Sequence, residues 1–329
     1  MLRGSWDNMN KFLEDTGIEI PIIGGPMYPC SNPELVAAVS EAGGIGIVQP
    51  VSLTYVHGYD FKEGLKYIKS LTSKPIGMNV LIEKSSLRYQ ERMKKWIDIA
   101  LDEGVMFFIT SLGKPDWVVS QVHSGGAKVY HDVTEKKWAK IAVDAGVDGL
   151  ICVNVSAGGH AGDLDADDLI NDLKDFGLPL VCAGGVGDKK IYKQMLELGY
   201  EGVQMGTRFI ASEECQVPSE YKEAIIKAKK EDIVFSLNLT GVKVSVINTP
   251  YIQRLGLKPN ALISWMLSQN FLKSLVRLFY IMRSVKNLKG LIKGDKSQQG
   301  FFQAGKSVDG VNHLDTVKDI IESFKDQKA

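Results

Sequence analysis

Between Ile20 and Phe209 the chain repeats one pattern eight times: a short β-rich apolar run, then an amphipathic stretch closed by glycine. The runs are PIIGG (21–25), IGIVQ (45–49), PIGMNVLI (75–82), VMFFITS (105–111), AKVYHDV (127–133), DGLICVNV (148–155), PLVCAGG (179–185) and EGVQMGT (201–207). Segments between them, such as NPELVAAVSEAGG and TEKKWAKIAVDAG, place apolar residues at i, i+3 and i+4 and end on glycine, which predicts helices with a glycine stop. Strands alternating with helices give a parallel sheet with helices outside. Eight such units fit a closed (β/α)8 TIM barrel of the α/β class better than a doubly wound sheet, and no GxGxxG follows the first run.

Composition narrows the remaining choices. The 329 residues, 44 % hydrophobic, can bury one large core or two modest ones. Lys plus Arg number 39 and Asp plus Glu 39, so no net field selects nucleic acid or an acidic membrane. The N-terminal MLRGSWDNMNKFLEDTG holds no uninterrupted apolar segment, and no stretch elsewhere reaches the roughly 20 apolar residues of a membrane span. The expectation is a cytoplasmic protein with a small-molecule substrate and without stable membrane insertion. Cys30, Cys152, Cys182 and Cys215 are far apart without a CxxC pair, which argues against zinc and disulfides. Cys152 and Cys182, inside apolar runs, read as core, and packing is the favoured role of Cys30.

After Phe209 the rhythm stops and the sequence reads as helical and more basic, with SEYKEAIIKAKKE and then NALISWMLSQNFLKSLVRLFYIMRSVKNLKGLIKG. A helical subdomain over the barrel mouth explains this stretch better than a membrane-surface helix. The domain reading is a cofactor-binding barrel over 1–211, a helical lid over 212–310 and a C-terminal helix over 311–329 returning to the barrel.

Barrel enzymes work at the C-terminal ends of their strands. Two successive glycine-rich ends, Gly184-Gly185-Val186-Gly187 and Met205-Gly206-Thr207, let backbone N–H groups approach an anion and are each followed by a helix, the phosphate site that barrels often place after strands 7 and 8. With a phosphate anchored there, Pro26 and Met27 after strand 1 would lie against a flat ring system, and the amides of Asn79 and Gln204 could bond ring heteroatoms. The pattern suggests flavin mononucleotide (FMN); composition alone does not separate FMN from a sugar phosphate, and the loops after strands 1 and 3 tilt the reading to FMN.

Taken together, PIIGGPMYPCSNPELVAAVSEAGGIGIV, PIGMNVLI, VNVSAGGHAGD, CAGGVGD and GVQMGTRFIASEE resemble the nitronate monooxygenase family, once called 2-nitropropane dioxygenases, and the related flavin-dependent enoyl-ACP reductases. The resemblance covers roughly residues 20 to 255. It implies an FMN barrel with a helical second domain, a site lined by Pro26, Met27, Asn79, Gly158, Gly159, Gly184, Gly185, Gln204, Met205, Gly206 and Thr207 with Ala157 beside them, and His160 facing the substrate. A histidine among glycines at the end of strand 6 also suits the role of general base on its own chemistry, since its unperturbed pKa near 6.5 allows proton transfer at neutral pH. In that family's reaction the histidine takes the α-proton of a nitroalkane or holds a nitronate already formed. Flavin and O2 then convert the alkyl nitronate to a carbonyl compound and nitrite.

Other polar residues are less informative. His131 and Asp132 end strand 5 and are expected to face the same mouth; His57 lies in the loop after strand 2; His123 and His313 read as helix or surface positions. The main rival is an FMN-dependent oxidoreductase that takes electrons from NAD(P)H and reduces a quinone or an enoyl thioester on the same scaffold. For that reading, LKSLVRLFYIMRSVKNLKGLIK could dock an acidic carrier protein. A third reading is a phosphate-binding barrel without redox activity.

Overall fold

The computed structural model describes residues 10–83, 87–239, 241–259 and 301–325, together with Ile263, Met266 and Gln269. Eight parallel strands close into a barrel in chain order: β1 Ile22–Gly24, β2 Ile45–Val48, β3 Ile76–Leu81, β4 Phe107–Ser111, β5 Lys128–Val133, β6 Gly149–Val153, β7 Leu180–Ala183 and β8 Gly202–Met205. Each lies inside its expected apolar run. Because β1 pairs with both β2 and β8, the sheet has no free edge.

Side-chain alternation along these strands makes two cores. Outward residues such as Ile22, Met78, Val80, Phe108, Leu150, Cys152, Cys182 and Val203 pack under the helices. Inward residues, among them Ile23, Ile47, Phe107, Ile109, Tyr130, Ile151 and Val181, fill the barrel.

The N-terminal end is plugged by the helix Lys11–Thr16, whose N-cap Asn10 accepts from Leu13 N at 2.9 Å and whose stop is Gly17 at φ 67°. It drives Phe12 into the barrel, with ring centroids 6.1 Å from Phe107 and 5.7 Å from Tyr130. Gly149 makes room for this cluster, since a Cβ there would stand 2.3 Å from the Tyr130 ring. The one polar atom in it, Tyr130 OH, donates to Asp15 at 3.0 Å.

A helix follows each strand, but after β8 it is only one turn, Thr207–Ile210. The C-terminal helix Val317–Phe324 compensates by packing against both Pro33–Glu41 and Lys189–Glu197, burying Ile320, Ile321 and Phe324, with Phe324 edge-on to Tyr192 at 5.3 Å. The returning chain is fastened where it arrives. Arg208 pairs with Asp315, and Val317 N donates to the Glu214 carboxylate at 2.9 and 3.0 Å.

The segment after Phe209 departs from the all-helical expectation. The helix Ser219–Lys227 leads into an antiparallel hairpin, β9 Ile233–Ser236 and β10 Val244–Ile247, before the helix Pro250–Leu255. IVFS and VSVI are apolar and β-branched, and their β preference prevails. Residues 301–303 extend this sheet, with Ile247 N donating to Phe302 O at 3.0 Å and a bridge between Val246 and Gln303. The apolar and basic stretch 260–294, on which both the membrane-surface and carrier-docking readings fall, lies outside the described residues apart from Ile263, Met266 and Gln269. Among the described residues no helix is long and apolar enough to cross a membrane, and no group of His, Cys, Asp and Glu could hold a metal ion. All four cysteines are free and buried, as their sequence context suggested.

Candidate active site

The mouth of the barrel is where polar residues replace the apolar filling. On β3, Ile76, Met78 and Val80 point outward, so Asn79 points in. On β8, Val203 and Met205 point outward, so Gln204 points in. On β5, Tyr130 belongs to the inner core, and Asp132 shares its side of the strand. Asn79 Oδ1, Asp132 Oδ1 and Gln204 Oε1 are all buried without a hydrogen-bond partner. Burying polar atoms unpaired is unfavourable by about 1–3 kcal/mol each, so three of them on the inner face of the strands at one end of the barrel make that end the candidate ligand site.

His131 does not join them. It lies on the outer side of β5, buried, with Nδ1 2.7 Å from Thr110 Oγ1, and burial lowers its pKa to about 4. The expectation that His131 and Asp132 share the mouth is therefore half wrong, because neighbouring strand residues face opposite ways. His57 is also a packing residue, its Nε2 3.3 Å from Pro29 O. His123 sits at the opposite end of the barrel beside Asp148, and His313 is exposed beside Asp315. Cys30 is buried, and Cys215 Sγ donates to its carbonyl at 3.6 Å.

The loop after β1 brings Pro26 and Met27 to the rim. Met27 N donates to Ser31 Oγ and Ser31 N to Met27 O, both at 2.9 Å, and Ser52 Oγ donates to Met27 O at 3.3 Å. A Cβ on Gly206 would stand 3.2 Å from Met27 Sδ, and one on Gly25 3.1 Å from Gln204 Cγ, so the ends of β1 and β8 meet closely. Met205 is buried in the outer core, which leaves only its backbone to the site; its carbonyl accepts from Gly25 N at 2.9 Å.

The loop after β6 is bound on three sides. Asn154 Oδ1 accepts from Ser156 N at 2.8 Å and its Nδ2 donates to Gly184 O at 3.0 Å, joining it to the loop after β7. Ser245 N of β10 donates to Gly159 O at 2.8 Å. Lys243, against the Phe235 ring at 4.2 Å, donates to Gly162 O at 2.9 Å and pairs with Asp163. His160 is held between these two attachments. Its side chain reaches solvent, yet the surrounding protein atoms desolvate it and lower its pKa, so it is neutral at pH 7. Among the described residues its ring has no hydrogen-bond partner.

The returning segment 304–310 lies across the loops after β6, β7 and β8, and sequence reasoning missed it. Gly305 N donates to Thr207 Oγ1 at 3.0 Å and Lys306 N to Ser156 O at 2.9 Å. A Cβ on Gly158 would meet Gly305 N at 2.9 Å, and one on Gly187 would meet Ser307 O at 2.1 Å, so these two glycines are required by backbone packing alone. Gly185 differs: it adopts φ 84°, and its nearest neighbour is the side chain of Ser156, so no backbone packs over it. Gly184, at φ 121°, packs on Asn154 and the buried Ala157. The following helix Lys189–Glu197 is capped by Asp188, whose Oδ1 accepts from Ile191 N at 2.9 Å. That cap satisfies one of the free N–H groups at its N-terminus. AGKSVDG, small and glycine-bearing, was the available signal for this segment, but its partners Thr207 and Ser156 are roughly 100 to 150 positions away.

Comparison with known proteins agrees with this fold. The curated "(3aS,4S,5R,7aS)-5-hydroxy-7a-methyl-1-oxo-octahydro-1H-indene-4-carboxyl-CoA dehydrogenase" of Rhodococcus jostii is 28 % identical over 243 residues, 74 % of this chain and 66 % of the relative. The "Probable nitronate monooxygenase" of Staphylococcus aureus is 26 % identical over 289 residues, covering 75 % of this chain and 81 % of the relative. Among solved structures, FabK from Thermotoga maritima superposes with a TM-score of 0.78 at 29 % identity, over 95 % of this chain and 94 % of that one. The sequence profile described as nitronate monooxygenase matches residues 10–326, which includes the barrel, the hairpin and the returning segment. The chain belongs to the nitronate monooxygenase family and is a flavin-dependent oxidoreductase.

Proposed function

We propose that the protein is an FMN-dependent nitronate monooxygenase, converting alkyl nitronates with O2 to carbonyl compounds and nitrite. The observation that carries this reading is His160: a neutral histidine without a partner among the described residues, fixed by its loop at the rim of a mouth whose inward amide oxygens are unpaired. The residues fit a flavin. Asn79 and Gln204 offer unpaired amide oxygens to ring N–H groups, Pro26 and Met27 offer an apolar edge, and the open left-handed backbone at Gly185, with Gly184, Gly206 and Thr207, offers N–H groups to a phosphate. Bound there, the flavin would supply the electron acceptor that the side chains lack.

The protein's own part is proton handling and positioning. His160, unprotonated at neutral pH, takes the α-carbon proton of a neutral nitroalkane onto its free imidazole nitrogen, and the resulting imidazolium holds the nitronate oxygens. A preformed nitronate needs only the second role. The test is nitrite release from ethyl nitronate in air by the FMN-loaded protein: nitrite in step with O2 consumption is expected, and none would refute the reading.

A second reading, oxidation of NAD(P)H, is favoured by one observation. The dehydrogenase relative and FabK are as similar to this chain as the nitronate monooxygenase relative. Oxidation of NADH or NADPH by loaded protein that leaves ethyl nitronate untouched would select it.

A further inference from the structure

Asp132 has no structural task. Its Oδ1 is buried and unpartnered, it shares the inner face of β5 with Tyr130, and it pairs across the sheet with Ile151 of the inner core. An ionised carboxylate so placed would need a cation, and among the described residues none reaches it. On β4 the inward residue beyond Ile109 is Ser111; on β6 the nearest titratable group is Cys152, a thiol that burial keeps neutral. On β5 itself His131 faces away and is neutral, while Lys128 pairs with Asp148 at the far end. The helix Lys136–Asp144 keeps Lys136, Lys137 and Lys140 in solvent, and β3 and β8 contribute amides to the mouth. His160, on the loop after β6, is itself neutral.

We propose that Asp132 is a ligand-facing carboxylic acid that, in its protonated form, donates a hydrogen bond to an acceptor atom of the flavin ring in the mouth. Asn79 Oδ1 and Gln204 Oε1 accept hydrogen bonds and can serve a ring N–H, while their amide NH2 groups can donate. A flavin ring carries several acceptors, and a protonated Asp132 would add a donor to those amides at the mouth. Burial pushes the carboxyl up to about 7, which leaves a substantial protonated fraction where the enzyme would work. Above that, the carboxylate turns a donor into a charge against the electron-rich ring. The inference rests on the reading of the mouth as a flavin site.

The test is riboflavin binding followed by fluorescence quenching, riboflavin being the probe because it has the ring without the titrating phosphate. If only the protonated acid accepts the ring, the wild-type Kd should rise roughly thirtyfold between about pH 6 and about pH 8.5. Asp132→Asn, which keeps a donor and cannot ionise, should bind with a nearly constant Kd over that range. A flat wild-type profile, or the same slope in both proteins, overturns the role of Asp132 while leaving the flavin site standing. Failure of both FMN and riboflavin to bind either protein at any pH overturns the flavin site and this role together.

Thermal unfolding without flavin gives an independent reading. A carboxyl whose folded pKa is raised binds its proton more tightly when folded, so its contribution to stability falls as pH rises from about 4 through about 7. Asp132→Asn should then melt higher than wild type at about pH 8 and not at about pH 4. The same difference at both pH values contradicts a buried, titrating acid. Should the variant not fold, the wild-type riboflavin profile still decides.

Discussion

The two ends of the barrel are made by the same eight strands, yet they treat polar atoms in opposite ways. At the N-terminal end Phe12, Phe107 and Tyr130 fill the interior, Tyr130 OH has Asp15, and Asp148 is shared by Lys128, His123 and Val129 N. At the C-terminal end Asn79, Asp132 and Gln204 keep buried oxygens without partners, and Gly184 and Gly185 hold left-handed backbone. The floor is complete as it stands, whereas the mouth keeps buried polar atoms unpaired. The difference locates stability at one end and chemistry at the other.

The largest test of that division is at the floor. Phe12→Ala should destabilise the fold by about 3–5 kcal/mol through the cavity it leaves, while FMN affinity of the folded fraction is unchanged; equal losses of stability and affinity would break the division. At the mouth, His160→Asn should leave FMN bound and lower turnover of neutral nitroalkanes by about 100-fold or more, with a smaller loss on preformed nitronates. Its pH profile sharpens the point. Because the His160 pKa is lowered and the unprotonated form is the base, the acidic limb for neutral nitroalkanes should fall below the usual 6.5 and vanish in the variant. Equal, negligible effects on both substrate forms would remove His160 as the base.

Gly185→Asp places a carboxylate and a Cβ where a phosphate is expected. FMN affinity should drop about tenfold or more, and riboflavin affinity less, because like-charge repulsion touches only the phosphate; unchanged FMN retention would move the phosphate elsewhere. The smallest effect belongs to Lys243, which holds the histidine loop from the hairpin. Lys243→Met should lower kcat on neutral nitroalkanes by about threefold with little change in FMN affinity, and Lys243→Arg should recover most of the loss.

Much of this architecture could be read from one sequence, because every barrel strand is an apolar run of its own and most of the following helices are closed by a glycine. The mouth was legible in part for the same reason: residues in the C-terminal half of a run, such as Asn79, or in the loop beyond one, such as His160, lie toward its C-terminal end. What could not be read is orientation at single-residue resolution. Whether His131 or Asp132 faces inward depends on strand register, and a shift of one residue exchanges them. The hairpin and the returning segment 304–310 were missed for another reason. Their contacts with Gly159, Ser156 and Thr207 span roughly 90 to 150 positions, and local periodicity carries no information about such pairings. Their effect on interpretation is concrete, since Gly158 and Gly187 answer first to that packing, and Gly185 is left as the clearer phosphate candidate.

The most direct test of a nitronate-oxidising flavin site is the visible spectrum of the FMN-loaded protein under strictly anaerobic conditions, recorded after ethyl nitronate and, in separate samples, after NADH and NADPH. Loss of oxidised-flavin absorbance with ethyl nitronate alone is the predicted result. Bleaching by a pyridine nucleotide with ethyl nitronate inert would contradict it and assign the mouth to an NAD(P)H oxidoreductase.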